Sequence, residues 1–214
     1  MSATNQEKES LIKTVTQGTV YITLAKLYFI VSSYGIYFAL PTQLTSEKIY
    51  DRMNNFLDKI LDKNCKFRSL LLHSSAWLRD TDLGEEGMPG RDWFNKSKRG
   101  LLAPFAVGTV DQALMGVINV KHEFVRAFGL AGKVVILDEV HSYDSYTGTI
   151  LTALVKALRE MHCTVIILSA TLTASKRAEL LGVPSNSMAY PLVSALPKDG
   201  NLETIVVDTS EAAI

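Results

Sequence analysis

Asp138 and Glu139 stand side by side at the end of an apolar run, Lys133-Val134-Val135-Ile136-Leu137, and His141 follows after Val140. Val-Val-Ile-Leu has the pattern of a strand buried on both faces in a central parallel sheet. Ionised carboxylates are almost never buried without a partner, so an acid pair at this position does not fill a core. In open α/β sheets the ligand crevice lies beyond the carboxyl ends of the strands. Acids placed there can hold a hydrated Mg²⁺ and orient water against a nucleotide phosphate.

Other chemistry-bearing residues recur at the ends of apolar runs. Gly35 to Leu40 reads as a buried strand, and Pro41-Thr42-Gln43 turns the chain away because proline cannot continue a central ladder. Ser69 to Leu72 is a strand candidate that ends in His73. Phe105-Ala106-Val107 is a strand closed by Gly108-Thr109, and Asp111 suits the start of the helix that follows. Thr164 to Leu168 reads as another fully buried strand, with Ser169-Ala170-Thr171 at its end. Parallel topology brings all of these ends to one edge of the sheet.

Between the strands lie helical patterns. Thr45 or Ser46 suits the cap of a helix whose apolar stripe is Ile49, Met53, Phe56, Leu57, Ile60 and Leu61. Ala113, Leu114, Val117 and Ile118 line a second, and Lys121 to Phe128, stopped by Gly129, is a third. Asp144 or Ser145 caps a fourth whose apolar face is Ile150, Leu154, Leu158 and Met161, with Leu151 and Val155 beside them, and Lys176 to Leu181 is a fifth, closed by Gly182. Residues 79–99 lose all periodicity and read as a long surface excursion, pinned by Trp93 and Phe94. The end of the chain is turn-rich apart from a strand-like run, Thr204 to Val207. Strands alternating with helices predict βα units, a parallel sheet and right-handed crossovers.

With 214 residues, 47% of them hydrophobic and 21% charged, the chain can bury a core without staples. Lys plus Arg equals Asp plus Glu at 22 each, so nothing global points to nucleic acid, and any such binding rests on local groups. Cys65 and Cys163 show no metal-ligand spacing and suit a reduced, cytoplasmic chain. The most apolar run, Val20 to Val31, is shorter than the ~20 residues of a membrane span.

Taken together these segments resemble a known family. Asp138-Glu139-Val140-His141 followed by Ser169-Ala170-Thr171 resembles motifs II and III of the superfamily-two DExH helicases. Tyr37-Phe38-Ala39-Leu40-Pro41-Thr42-Gln43 resembles motif Ia, and Lys98 to Pro104 with Val107 to Leu114 resembles the segment around motifs Ib and Ic. The combination, over residues 35–195, is similar to the CRISPR-associated helicase–nuclease of type I interference systems. The resemblance implies an α/β, RecA-like sheet of the P-loop NTPase type with helices on both faces, in a single domain spanning 35–195. It implies an N-terminal segment, 1–34, carrying the phosphate-loop region, and a C-terminal strand, 196–214, leading to a second helicase domain. It further implies an ATP-dependent motor that tracks along single-stranded DNA in antiviral defence, with ATP and Mg²⁺ as cofactors. Its partners would be the second helicase domain, the nuclease domain and the CRISPR surveillance complex. In that family Asp138 would hold Mg²⁺ through water, and Glu139 would orient or deprotonate the attacking water. His141 would link the nucleotide site to Ser169 and Thr171. Pro41, Thr42, Gln43, Gly108, Thr109 and Asp111 would lie along the DNA backbone, in contacts that position the strand and read no sequence.

One segment departs from the family. A phosphate loop needs glycines for its cradle, a lysine for the β/γ-phosphates and a hydroxyl for Mg²⁺. At the corresponding place the chain has Thr16-Gln17-Gly18-Thr19-Val20. Gly18 remains for the nucleotide, while Thr19 and Val20 replace the lysine and the hydroxyl. Two functions are therefore compatible with the residues: a motor domain completed by other polypeptide, or a RecA-like DNA-binding or interaction module without ATPase activity.

Overall fold

The structure, a computed structural model, describes residues 34–60, 68–73, 99–117, 123–142, 145–198 and 200–206. The chain divides into two compact units, 29–172 and a second that holds the described residues from 173 onward. Gly18, the Thr19–Ser33 helical stripe, most of the 79–99 excursion with Trp93 and Phe94, and Cys65 lie outside the described residues.

The first unit is built on five parallel strands in the order β2-β3-β1-β4-β5. These are β1 (Ile36–Leu40), β2 (Leu70–Leu72), β3 (Phe105–Thr109), β4 (Val134–Leu137) and β5 (Thr164–Ile167). The continuous apolar sequences of β1 and β4 become the central strand and one of its neighbours, and every residue of both is buried. A strand covered on both faces reads as an unbroken hydrophobic run. Register is fixed by Phe38, which lies level with Val107 on one side and with Ile136 on the other. Ile136 in turn lies level with Ile166 of β5.

Entry into β1 depends on Gly35. Its φ is +135°, and an added Cβ would stand 1.8 Å from the Pro104 carbonyl oxygen. That same oxygen accepts the Ile36 N–H at 2.7 Å, so β1 starts where two backbones meet at hydrogen-bond distance.

The helices are α1 (Gln43–Ile60), α2 (Val110–Leu114), α3 (Glu123–Leu130) and α4 (Ser145–Glu160), joined by short 3₁₀ turns at Gly100–Leu102 and Val140–Ser142. α1 begins three or four residues earlier than its sequence suggested. Thr42, not Thr45 or Ser46, is the capping residue: its Oγ1 accepts the Thr45 N–H at 3.2 Å. Gly129 lies inside α3 rather than ending it, and the turn out of the helix comes at Gly132, where φ is +70°. Ser145 is already helical, so it is not the residue outside α4 that a cap must be. Of the predicted apolar face of α4, Leu151, Leu154, Val155 and Leu158 are buried, while Ile150 and Met161, at its margins, are half-buried.

β5 departs from expectation most. Its sequence reads as fully buried, yet among the described residues it is the last strand of the sheet, and its residues are half-buried or exposed.

The second unit, among the described residues, holds α5 (Ala174–Leu181) and an antiparallel hairpin of β6 (Leu192–Ala195) and β7 (Glu203–Val206). Thr173 caps α5 through the Lys176 N–H at 3.2 Å, and Gly182 ends it with φ +72°. β6 sits in what the sequence showed only as turns, and it is what gives the Thr204–Val206 run a partner.

Candidate nucleotide and nucleic-acid edge

All the strand ends singled out by sequence emerge on one edge, because the five strands run parallel. Asp138 follows β4 directly. Its N–H continues the ladder to the Ala39 carbonyl at 3.0 Å, so it stands level with the last residue of β1. The residue is only 8% exposed, and one carboxylate oxygen, Oδ1, accepts the N–H of Glu139 at 2.9 Å. Glu139 itself is exposed, with φ +53°. A left-handed conformation is costly for a side chain such as Glu, of the order of 1–2 kcal/mol. His162 also has positive φ, at 60°, but it ends α4, where such a residue is an ordinary stop. Glu139 ends no helix. The strain turns the backbone sharply, holds the Asp138 carboxylate against its own neighbour and swings the Glu139 side chain to the solvent.

The β4 and β5 ends are joined. Leu168 donates to the Leu137 carbonyl at 2.8 Å, and Val140 donates back to the Leu168 carbonyl at 3.3 Å. The 3₁₀ turn starting at Val140 presents His141, whose Nδ1 lies 3.2 Å from the Ser169 Oγ. That hydroxyl donates to the Thr171 carbonyl at 3.1 Å. A hydroxyl has one proton, so with it committed to Thr171 the His141 Nδ1 is the donor and Ser169 the acceptor. This is not the arrangement of a nucleophile activated by a base, in which the serine proton points to the imidazole. It is a hydrogen-bonded link from the acid turn to the Ser169–Thr171 loop. Five predicted residues, Asp138, Glu139, His141, Ser169 and Thr171, are thus brought together.

The other half of the edge is made by β1 and β3. Pro41 and Thr42 follow β1, and Gln43 opens α1. Thr42 is occupied: besides its cap, its carbonyl accepts the Ser46 Oγ at 2.8 Å and the Thr45 Oγ1 at 3.0 Å. Gly108 and Thr109 are strand residues, not the loop expected of them, and both are buried. A Cβ on Gly108 would come within 2.3 Å of the Leu72 carbonyl and 2.9 Å of the Tyr37 hydroxyl, so only glycine fits between β2 and β1. Asp111 is exposed in the first turn of α2. The edge from β3 to β5 crosses three strand spacings, roughly 14 Å.

Two supporting residues escaped the sequence. Tyr37 sits fully buried in an apolar run, where a tyrosine passes for core filler, but its hydroxyl donates to the Thr109 carbonyl at 2.7 Å and ties β1 to the end of β3. A buried tyrosine hydroxyl needs a partner, and that rule is the signal. Arg126 of α3 donates from Nη1 to the Gln112 Oε1 at 2.8 Å and braces α2, and burial pulls its guanidinium below the usual value. Nothing in the local sequence pairs those two residues. His73, at the end of β2, faces Glu47 of α1 at 3.6 Å and serves packing there.

The donors fit a shared Mg²⁺ better than a resident one. Mg²⁺ takes one or two carboxylates, keeps several waters and completes its shell from phosphate oxygens. Asp138 supplies one well-fixed carboxylate. Among the described residues no group of three or more His, Cys, Asp or Glu side chains could hold a metal ion alone. Likewise, no helix among them is long and apolar enough to cross a membrane.

No family model matches the chain. Among curated proteins it is 42% identical over 161 residues to the CRISPR-associated endonuclease/helicase Cas3 of Thermus thermophilus, covering 69% of this chain and 17% of that protein. It is 32% identical over 177 residues to the Escherichia coli Cas3, covering 75% and 20%. Among solved structures, that of T. fusca Cas3–AMPPNP superposes with a TM-score of 0.69 at 34% identity, covering 79% of this chain and 21% of the other. The chain therefore spans about a fifth of the length of the relatives it matches. Sequence and fold agree over the same stretch, and the chain corresponds to a RecA-like helicase segment of the CRISPR-associated Cas3 helicase/nuclease family.

Proposed function

We propose that this segment is the first RecA-like domain of an ATP-dependent motor that moves along single-stranded DNA in CRISPR defence, and that its nucleotide site is completed by polypeptide outside it. The observation that carries the reading is the hydrogen-bonded joint between the acid turn after β4 and the hydroxyl loop after β5, through His141 and Ser169. Bound Mg²⁺·ATP supplies the phosphoanhydride whose hydrolysis drives movement. Asp138, fixed by the Glu139 N–H, would hold the ion. Glu139, exposed by its left-handed backbone, orients the attacking water. His141 senses whether the acid turn is engaged and passes that state to Ser169 and Thr171. Along the other half, the backbone around Pro41, Thr42, Gln43, Gly108 and Thr109 follows the DNA phosphates, with Asp111 at the rim. Two matched structures, of T. fusca Cas3 with ADP and with ATP, are of nucleotide complexes, which supports nucleotide as the ligand class. CRISPR surveillance machinery and a nuclease domain are the partners this function requires.

A second reading has its own observation. Thr16-Gln17-Gly18-Thr19-Val20 lacks the phosphate-loop lysine, which favours a DNA-binding module without turnover. The test is DNA-stimulated ATP turnover and Mg²⁺·ATP binding, by the chain alone and with the part of the Thermus relative outside the matched residues supplied separately. Turnover that depends on the supplied part and is abolished by Glu139→Gln supports the motor. Turnover by the chain alone sinks the module reading, and no binding in either mixture sinks the motor reading.

A further inference from the structure

Arg126 of α3 is 8% exposed, yet a guanidinium carries several N–H donors and a charge that it does not lose. Among the described residues it makes one hydrogen bond, from Nη1 to the Gln112 Oε1 at 2.8 Å. Its Nε–H is buried with nothing to donate to, and no carboxylate among those residues answers the charge. A buried cation is costly to keep unless a charge of the other sign comes within reach. Burial pulls its pKa down and the field of Tyr37 offsets part of that, so the guanidinium lies by the tyrosine that ties β1 to the Thr109 carbonyl. The Arg126 stem starts level with Gly116, where an added Cβ would come within 3.5 Å of the Arg126 Cβ. A helical side chain leans toward the N-terminus of its helix. The tip accordingly reaches Gln112, a turn of chain nearer the end of β3.

The DNA half of the edge lacks what this residue has. Pro41, Thr42, Gln43, Gly108, Thr109 and Asp111 bring no cation and one carboxylate. Affinity for a nucleic-acid backbone comes chiefly from neutralised phosphates. We propose that Arg126 is the positioning residue of this half: through Gln112 it holds α2 at the exit of β3, and its unanswered charge draws a phosphate of single-stranded DNA to the Thr109–Asp111 segment. The proposal rests on the motor reading for DNA as the ligand, and on Arg126 and Gln112 for the place. The charge acts from beneath the surface, where salt screens it less than it screens an exposed lysine. It favours no base, since a charge set under the backbone meets only phosphate. A brace alone would not need a cation. A neutral donor would satisfy the Gln112 carbonyl as well and would cost less to bury.

The full chain and its Arg126→Met and Arg126→Lys variants are titrated by anisotropy against a fluorescein-labelled oligothymidylate of about 15 nucleotides, from about 50 to 200 mM NaCl. Thermal unfolding is followed on each. Arg126→Met keeps the apolar stem and drops the charge. It should weaken binding about tenfold at the lowest salt and flatten the slope of log Kd against log salt by about 0.7, the share of one phosphate on a single strand. Arg126→Lys keeps the charge and should keep the wild-type slope. A wild-type slope in folded Arg126→Met, or the same flattening in Arg126→Lys, overturns the proposal and leaves Arg126 a brace. A second measurement needs no variant. The Nε–H of Arg126, slow to exchange because it is buried, is followed by ¹H–¹⁵N NMR as the oligothymidylate is added. Its resonance should move as DNA saturates the protein, and a fixed resonance with DNA bound overturns the proposal. No DNA binding by the wild type at any salt sinks the DNA reading and this proposal with it, a result distinct from bound DNA to which Arg126 is indifferent.

Discussion

β4 and β5 are neighbours with nearly the same kind of sequence, and Ile136 and Ile166 stand level in the ladder between them. Every residue of β4 is buried; β5 has half-buried or exposed residues throughout. The difference comes from position alone. β4 lies between two strands, and β5 has one partner among the described residues. The first half of the sheet is finished, with its glycines, its buried tyrosine and its capped helix. An apolar run alone therefore does not report how enclosed its strand is.

The largest effect should come from the finished half. Gly35→Ala forces a Cβ onto the Pro104 carbonyl at a φ of +135°, and should destabilise by about 4 kcal/mol, seen as a collapse of the urea midpoint. Lys133 comes next. Its Nζ, buried at the start of β4, donates to the Leu101 and Ala103 carbonyls at 2.6 and 2.5 Å. Burial lowers its pKa from 10.5 to about 8 despite those bonds. Between pH 8 and 10.5 the unfolded chain therefore binds a proton that the folded chain does not. Stability should rise across that window, by up to roughly 3 kcal/mol relative to Lys133→Met, in urea titrations at stepped pH. The level isoleucines give the cleanest contrast: Ile136→Ala should cost about 3 kcal/mol and Ile166→Ala about 1. Equal losses would mean that β5 is as enclosed as β4 and would remove the contrast. Smallest is Thr42→Ala, which deletes the α1 cap and should cost about 1 kcal/mol by thermal unfolding.

Much of this arrangement was legible in the residues. The alternation of apolar runs and helical stripes gave the parallel sheet, and Asp138, Glu139, His141, Ser169 and Thr171 were placed at strand ends by their position after Val-Val-Ile-Leu and Val-Ile-Ile-Leu. What was illegible has physical causes. Gly108 and Thr109 read as a loop because glycine usually interrupts a strand; here it is the only residue that fits beside Leu72 and Tyr37. Thr42 was passed over for Thr45 and Ser46 because all three are capping types within about one turn. The place of β5 at the end of the sheet, among the described residues, could not be read at all, since strand order is not written in any one strand. The backbone strain at Glu139 was equally hidden, being a property of the turn and not of the residue.

The most direct test of the central claim follows amide hydrogen exchange on adding Mg²⁺·ATP to the chain in the presence of the unmatched part of the Thermus relative. If the acid turn and the hydroxyl loop form one site, amides 138–142 and 169–171 gain protection together, with one shared midpoint, and His141→Ala uncouples them. Protection confined to one of the two segments, or to neither, would contradict the account.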